Sequence, residues 1–326
     1  MNAGEWIFAA REAVAAAVRS ADGVEVELLV RHLHHSPSRP WASFDVPNSP
    51  DVFWVAQVDG EAPEGSHVVA TRLGDMGVWR HPNDPALPGL RTAVIPGALA
   101  DVLADVAPDV DPSVVDVVTV EPLQRATIRV GHAGRAVYLK VVPRWRLGDV
   151  ADAHRRAVAG GVPSPPVLRV DAEQGLIVLG EVPGRPLAEH LELGLAVPGA
   201  DQIRRLVEQV TAAVGAHGDL HDRQILVDQS GDITGVVDFD DAGGDPLDDV
   251  AELIAHVTMR GITHPEQQVR IARYVDELLK SFARHVDRDE LERRIGRSTE
   301  RLDHRRVAFI GRNDPDRDPF PGTSEQ

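Results

Sequence analysis

Two short apolar runs near the middle of the chain are each tied to an acidic residue. The first follows the loop His217-Gly218-Asp219-Leu220-His221-Asp222-Arg223-Gln224 as Ile225-Leu226-Val227, and the second is Ile233-Thr234-Gly235-Val236-Val237, which leads straight into Asp238-Phe239-Asp240. Such runs of aliphatic and β-branched residues read as buried strands, so the fold must enclose them while delivering carboxylates at their ends. Phosphoryl transfer asks for these parts: an acid group that orients the attacking hydroxyl, oxygen ligands for magnesium, and a cation on the nonreacting phosphates. Asp219 suits the first task. The carbonyl of Gln224 and the hard carboxylate oxygens of Asp238 suit the second, with Asp240 a further candidate ligand.

The cation is suggested by an imbalance in the composition. Nearly every basic residue is arginine, and the only lysines are Lys140 and Lys280. An ammonium is a compact point charge where a guanidinium is a wide fork, so Lys140 reads as serving a narrow site. Lys280 lies on the polar face of an amphipathic helix and carries no expected role. The chain of 326 residues has 34 Lys and Arg against 51 Asp and Glu, a formal net charge of -17, which repels nucleic-acid backbones and anionic membrane surfaces. There is no cysteine, which excludes disulfides, thiolate metal sites and thiol nucleophiles. The first twenty residues carry Glu5, Arg11, Glu12 and Arg19, unlike a signal peptide, and no window is apolar enough to span a membrane. These features lead us to expect a cytoplasmic location.

Along the chain, an alanine-rich helix is expected over residues 5–20. Strands come next near 24–30, 52–58 and 67–71, and a helix over 98–106 opens at Pro96-Gly97. Prolines at 108 and 112 mark a boundary, giving an N-terminal α/β extension over residues 1–112. A meander of strands at 114–120, 127–130 and 136–142, a helix over 147–159 and a strand pair at 167–170 and 176–179 make a small lobe over 113–182. Helices at about 247–259, 266–286 and 289–306, preceded by one bearing Ile203, Leu206, Val207, Val210 and Val214 with Asp201 as its N-cap, make a large lobe over 183–310. The Pro-, Asp- and Gly-rich residues 311–326 read as a disordered tail.

The loop and the segments beyond it resemble the aminoglycoside phosphotransferase family, a protein-kinase-like group that also includes choline, homoserine and maltose kinases. In that family His-Gly-Asp-Leu-His is followed by Asn, then by a metal-binding aspartate, then by Gly-Asp-Pro leading into Asp-Leu-Ala. Here the last pieces are Gly244-Asp245-Pro246 and Asp249-Val250-Ala251. The resemblance covers roughly residues 114–286. It implies an α+β, two-lobed protein-kinase-like fold with a β-meander small lobe and a mainly helical large lobe, using ATP and magnesium. It implies Asp219 as catalytic aspartate, Gln224 and Asp238 as metal ligands, Lys140 on the nucleotide phosphates, and Glu181, Val182 and Pro183 as the adenine-binding hinge. His217 is expected to fix the loop by hydrogen bonding, and Asp245 and Asp249 to brace it.

Departures from the family pattern are informative. Gln224 stands in place of Asn, one methylene longer. The loop at 121–126 that should cover the phosphates has no glycine, so Arg125 is expected to replace amide contacts with a guanidinium. The helix after Lys140 offers only Asp149 and Asp152 to pair with the ammonium, and Asp152 is the choice. These departures also suit an inactive nucleotide-binding module of pseudokinase type. Few residues separate Asp238 from the helix near Leu247, too few for a polypeptide-docking segment, which favours a small-molecule hydroxyl acceptor such as a sugar, aminocyclitol or amino alcohol. The sequence leaves the acceptor's identity and the oligomeric state open.

Overall fold

The computed structural model describes residues 2–34, 40–58 and 65–308, so the tail expected over 311–326 lies outside the described residues. The chain divides into two compact units. One runs through Leu147 and takes back Arg169–Val178, and the other comprises Gly148–Leu168 and Leu179–Arg305.

The first unit begins with helix α1 (Ala3–Asp22), opened by the Asn2 side chain accepting from the Gly4 N–H at 2.9 Å and closed by Gly23 at φ 70°. Its stripe of Trp6, Ala9, Ala10, Ala13, Val14, Ala17 and Val18 is buried against Phe44, Phe53, Val55, Met76 and Val78. Those residues belong to a five-stranded antiparallel sheet of β1 (Leu29–His34), β2 (Trp41–Asp45), β3 (Val52–Gln57), β4 (His67–Thr71) and β5 (Gly74–Arg80), in the order β1-β2-β3-β5-β4. Two of these strands, β2 and β5, are additions to the sequence reading. The first strand starts at Leu29 rather than Val24.

After the short helices α2 (Leu90–Val94) and α3 (Pro96–Leu103) comes a second five-stranded sheet. It contains β6 (Val115–Glu121), β7 (Arg125–Val130), β8 (Val137–Val141), β9 (Val167–Asp171) and β10 (Leu176–Gly180), in the order β6-β7-β8-β10-β9. The expected meander is present, with β6, β7 and β8 successively antiparallel and Lys140 in register with Thr127. The two sheets are not independent: Val52, Trp54, Ala56 and Trp79 of the first pack with Val117, Val120 and Leu123 of the second.

Helix α4 (Arg144–Ala159) begins earlier than expected and leads into the second unit, which is mainly helical. There α5 (Leu187–Glu192), α6 (Ala200–Val214), α7 (Pro246–Thr263), α8 (Gln268–Phe282) and α9 (Arg288–Ala308) accompany a small antiparallel sheet of β11 (Arg185–Pro186), β12 (Ile225–Val227) and β13 (Ile233–Val236). One core joins Leu206 and Val210 of α6, Leu253 and Val257 of α7, and Tyr274 and Leu278 of α8 to Leu220, Ile225, Val236 and Phe239. Each such aliphatic side chain contributes about 1.5–3 kcal/mol by leaving water, and together they fix the strands from which the acidic residues emerge. The N-cap of α6 is Gly199 rather than Asp201, because Gln202 reaches back to the Gly199 N–H at 2.8 Å. Asp201 instead accepts from the Ser281 hydroxyl at 2.6 Å. The expected α+β class is therefore met, with antiparallel sheets followed by a helical unit.

Candidate active site

The loop before β12 is fixed from the first turn of α7. Both oxygens of Asp249 are used, accepting from the His217 N–H at 2.6 Å and the Gly218 N–H at 2.8 Å. Burial nonetheless pushes the Asp249 carboxyl up, against the pull of those amides. Gly218 sits at φ 89°, and a Cβ there would lie 1.9 Å from the Asp241 carbonyl oxygen, so the sequence requires glycine on both conformational and spatial grounds. The ring of His217 is fully buried, and its Nε2–H donates to the Val237 carbonyl at 3.0 Å, tying the loop to the end of β13. Asp245 is the N-cap of α7, accepting from Leu247 N–H at 2.9 Å and from Arg294 at 2.6 Å, and both hydrogen bonds hold its carboxyl below the usual range.

Asp219, held between these anchors, keeps about a third of its side chain exposed. Gln224 is buried, and its Nε2 donates to Asp219 Oδ2 at 3.5 Å while its Oε1 accepts from the His221 N–H at 3.3 Å. His221 Nδ1 accepts from the Arg223 N–H at 3.2 Å, which leaves the proton of the neutral ring on Nε2, facing Asp219 Oδ2 at 3.9 Å. Burial lowers the His221 pKa to about 4, although the negative charges of Asp222 and Asp238 oppose that shift. The ring is therefore neutral near pH 7. Asp238 lies within electrostatic reach of the same ring and adopts φ 73°, a left-handed conformation that costs a non-glycine residue about 1 kcal/mol or more and tends to occur where geometry is over-determined. The next residue does that fixing: Phe239 is fully buried, edge-on to His154 of α4 at 5.5 Å and tilted against His217 at 4.8 Å. Asp240 is buried as well. Gln224 is thus hydrogen-bonded to Asp219, and Asp238 lies near the His221 ring; carboxylate and amide oxygens are donors of the kind a hard divalent cation takes.

A second cluster adjoins this one. His221, Asp222 and His256 bring one potential ligand atom each within 4.8 Å of one another. The two imidazoles are stacked, however, with centroids 4.6 Å apart and planes only 22° from parallel. Because an ion binds an imidazole nitrogen in the plane of its ring, stacked rings cannot both aim at one ion. The Asp222 oxygens are moreover engaged by Arg260, from Nε at 2.8 Å and Nη2 at 3.5 Å. Sequence reasoning does not single out His256, Arg260 or His154. For His154 a signal exists, since Leu147, Val150, Ala151, His154 and Ala157 follow the helical stripe and all are buried.

The same periodicity puts Asp152 on the opposite face of α4. Its side chain is exposed and bonded to Arg155 at 3.0 Å. In the first unit, Lys140 is buried in β8. The turn between β6 and β7 is closed by Gln124 N–H donating to the Glu121 carbonyl at 3.0 Å, with Pro122 and then Leu123 at φ 63° in its middle. That is the pattern of a type II turn with leucine where glycine is preferred. Asp84 stabilises it by accepting from the Leu123 N–H at 2.9 Å, its own carboxyl raised by burial to about 6. Arg125 directs its fork onto Glu121 Oε1, at 3.1 and 2.8 Å. The segment Glu181-Val182-Pro183 is non-helical chain after β10, and Val182 lies so close to Gly235 of β13 that a Cβ there would be 2.3 Å from its Cγ1.

Comparison with known proteins adds a family. Residues 189–290, which include the loop, β12, β13, α7 and α8, match the family model described as Phosphotransferase enzyme family. This stretch is similar to that family. The match bears out the resemblance read from the motifs and the expectation of an enzyme of the small-molecule kinase type. No curated protein matches. Solved structures similar to this chain include an aminoglycoside phosphotransferase, APH(3'')-Id, from Streptomyces rimosus, at 19% identity over 62% of this chain and 97% of that one, with a TM-score of 0.39. Another is a thermostable mutant of the aminoglycoside phosphotransferase APH(4)-Ia, in ternary complex with AMP-PNP and hygromycin B, at 16% identity over 66% of this chain and 99% of that one, with a TM-score of 0.38. Among the described residues, no helix is long and apolar enough to cross a membrane.

Proposed function

We propose that the protein transfers the γ-phosphoryl group of ATP to a hydroxyl of a small molecule. The observation that carries this reading is the partly exposed Asp219 carboxylate, set in a backbone fixed by Asp249 and hydrogen-bonded by Gln224. In the proposed reaction Asp219 accepts a hydrogen bond from the acceptor hydroxyl, aligns its oxygen with the γ-phosphorus, and takes the proton as the new O–P bond forms and the bond to the leaving diphosphate breaks. His221, neutral with its Nε2–H toward Asp219, supports the carboxylate without neutralising it. Asp238, Gln224 and Asp240 are the residues that would hold magnesium. Bound there, magnesium supplies charge neutralisation to the phosphate oxygens. Lys140 is assigned to the nonreacting phosphates, and Glu181, Val182 and Pro183 to the adenine. The low density of cations between residues 217 and 252, where Arg223 stands alone, suits a polyhydroxyl or cationic acceptor. We place the protein in the cytoplasm.

The test is incubation with magnesium and γ-labelled ATP across a panel of sugars, aminocyclitols and amino alcohols, for the wild type and Asp219→Asn. Labelled product is expected from the wild type. The variant should fall by about a hundredfold or more while binding nucleotide as before. A fully active Asp219→Asn protein would refute the base assignment, and tight nucleotide binding with no product from any acceptor would favour a module that binds without turnover.

A further inference from the structure

We infer that Arg260 is a positioning residue for Asp219, and that helix α7 thereby grips the catalytic loop from both sides. The inference rests on the reading of Asp219 given above. At the N-terminal end of α7, Asp249 holds the amides of His217 and Gly218. Three turns further along the same helix, Arg260 holds the other side of the loop through Asp222, whose side chain is wholly buried. The grip is reinforced from α5: Arg260 Nη1 donates to Glu192 Oε1 at 2.6 Å, and the Asp222 carbonyl accepts from the Ala188 N–H at 3.0 Å. Asp219 lies between the two fixed points.

The chemistry of the pair favours a geometric task over mere adhesion. A buried ion pair is a poor source of stability, since apolar residues of similar volume usually do as well or better. A guanidinium, however, directs separate N–H groups along fixed lines. Here Nε and Nη2 address Asp222 while Nη1 addresses Glu192, which an ammonium cannot reproduce. Arg260 does not touch the reacting atoms in this scheme. It acts by denying the loop the small displacements that, at about 1 Å, cost roughly a hundredfold in rate.

The experiment compares wild type, Arg260→Met, Arg260→Lys and the double variant Asp222→Asn/Arg260→Met. It uses hydrogen exchange at amides 218–224 and steady-state hydrolysis of MgATP with water as acceptor. Arg260→Met should speed exchange in the loop by about tenfold or more, leave α8 amides unchanged, and lower kcat by about tenfold with the nucleotide KM within about twofold. Arg260→Lys should give an intermediate value on both readouts. The double variant no longer strands a buried carboxylate, so its urea midpoint should recover while loop exchange and kcat stay impaired. It also carries the test if Arg260→Met does not fold. Wild-type exchange and kcat in the double variant would overturn the proposal by showing that Arg260 only neutralises Asp222. A wild-type protein that turns over MgATP neither with water nor with any acceptor of the panel would count against the kinase reading instead, and the exchange comparison would still decide whether α7 holds the loop.

Discussion

Acidification should weaken this protein through the stacked imidazoles beside Asp219, and His256 allows the effect to be isolated. Its side chain is 20% exposed, and burial, followed by the neighbouring His221, lowers its pKa to about 4. An unfolded histidine titrates near 6.5. Between those values the unfolded chain holds a proton that the folded one refuses, so stability falls as pH drops from 6.5 towards 4. Linkage for a shift of this size gives about 2 kcal/mol lost between pH 7 and pH 5 from this one group. The variant His256→Gln removes that penalty. Urea unfolding followed by the helical circular dichroism signal, at pH 7 and pH 5, should therefore show the wild type losing about 2 kcal/mol more than His256→Gln. Equal losses in the two proteins would refute the argument, because they would mean that the ring is already protonated, or equally hydrated, in the folded state.

Gly218→Ala should lower kcat by about tenfold or more and destabilise by more than about 1 kcal/mol, since it combines a positive φ with a Cβ 1.9 Å from a carbonyl oxygen; kinetics and thermal unfolding check this. Asp84→Ala should cost about 3 kcal/mol by leaving the Ala86 and Leu123 amides without their acceptor, measured as a shift in urea midpoint. Gln224→Asn keeps the carbonyl and should hold magnesium-dependent turnover within about tenfold of wild type. Complete loss would show that the longer reach of glutamine is required.

The loop is legible because its parts are close in sequence and each has a chemical signature: a glycine with no room for a side chain, a carboxylate at a strand end, an Asp-Pro that caps a helix. The partners that hold it are not. Arg260 reaches Asp222 and Glu192 across long sequence separations, and no periodicity links an arginine on a helix to a particular aspartate in a loop. Strand β5 is hidden because its sequence, Gly-Asp-Met-Gly-Val-Trp-Arg, has two glycines and no clean alternation; its place is secured by pairing with β3 and β4 on either side. Weighing charge without face does not show which side of α4 carries Asp152. The apolar stripe of α4 excludes it, and its charge pairs along the solvent side with Arg155. Arg125 likewise has a partner close along the chain in Glu121, which charge counting alone does not reveal.

The seat of Phe239 between two imidazoles bears on control. Withdrawing this ring to swing Asp238 away would empty a phenyl-sized space in the core, at about 3–5 kcal/mol for a buried aromatic. At that cost fewer than about one molecule in a hundred would hold the aspartate retracted at any moment. Under the proposed function, output should therefore follow the supply of the reactants rather than an on-off toggle of this segment.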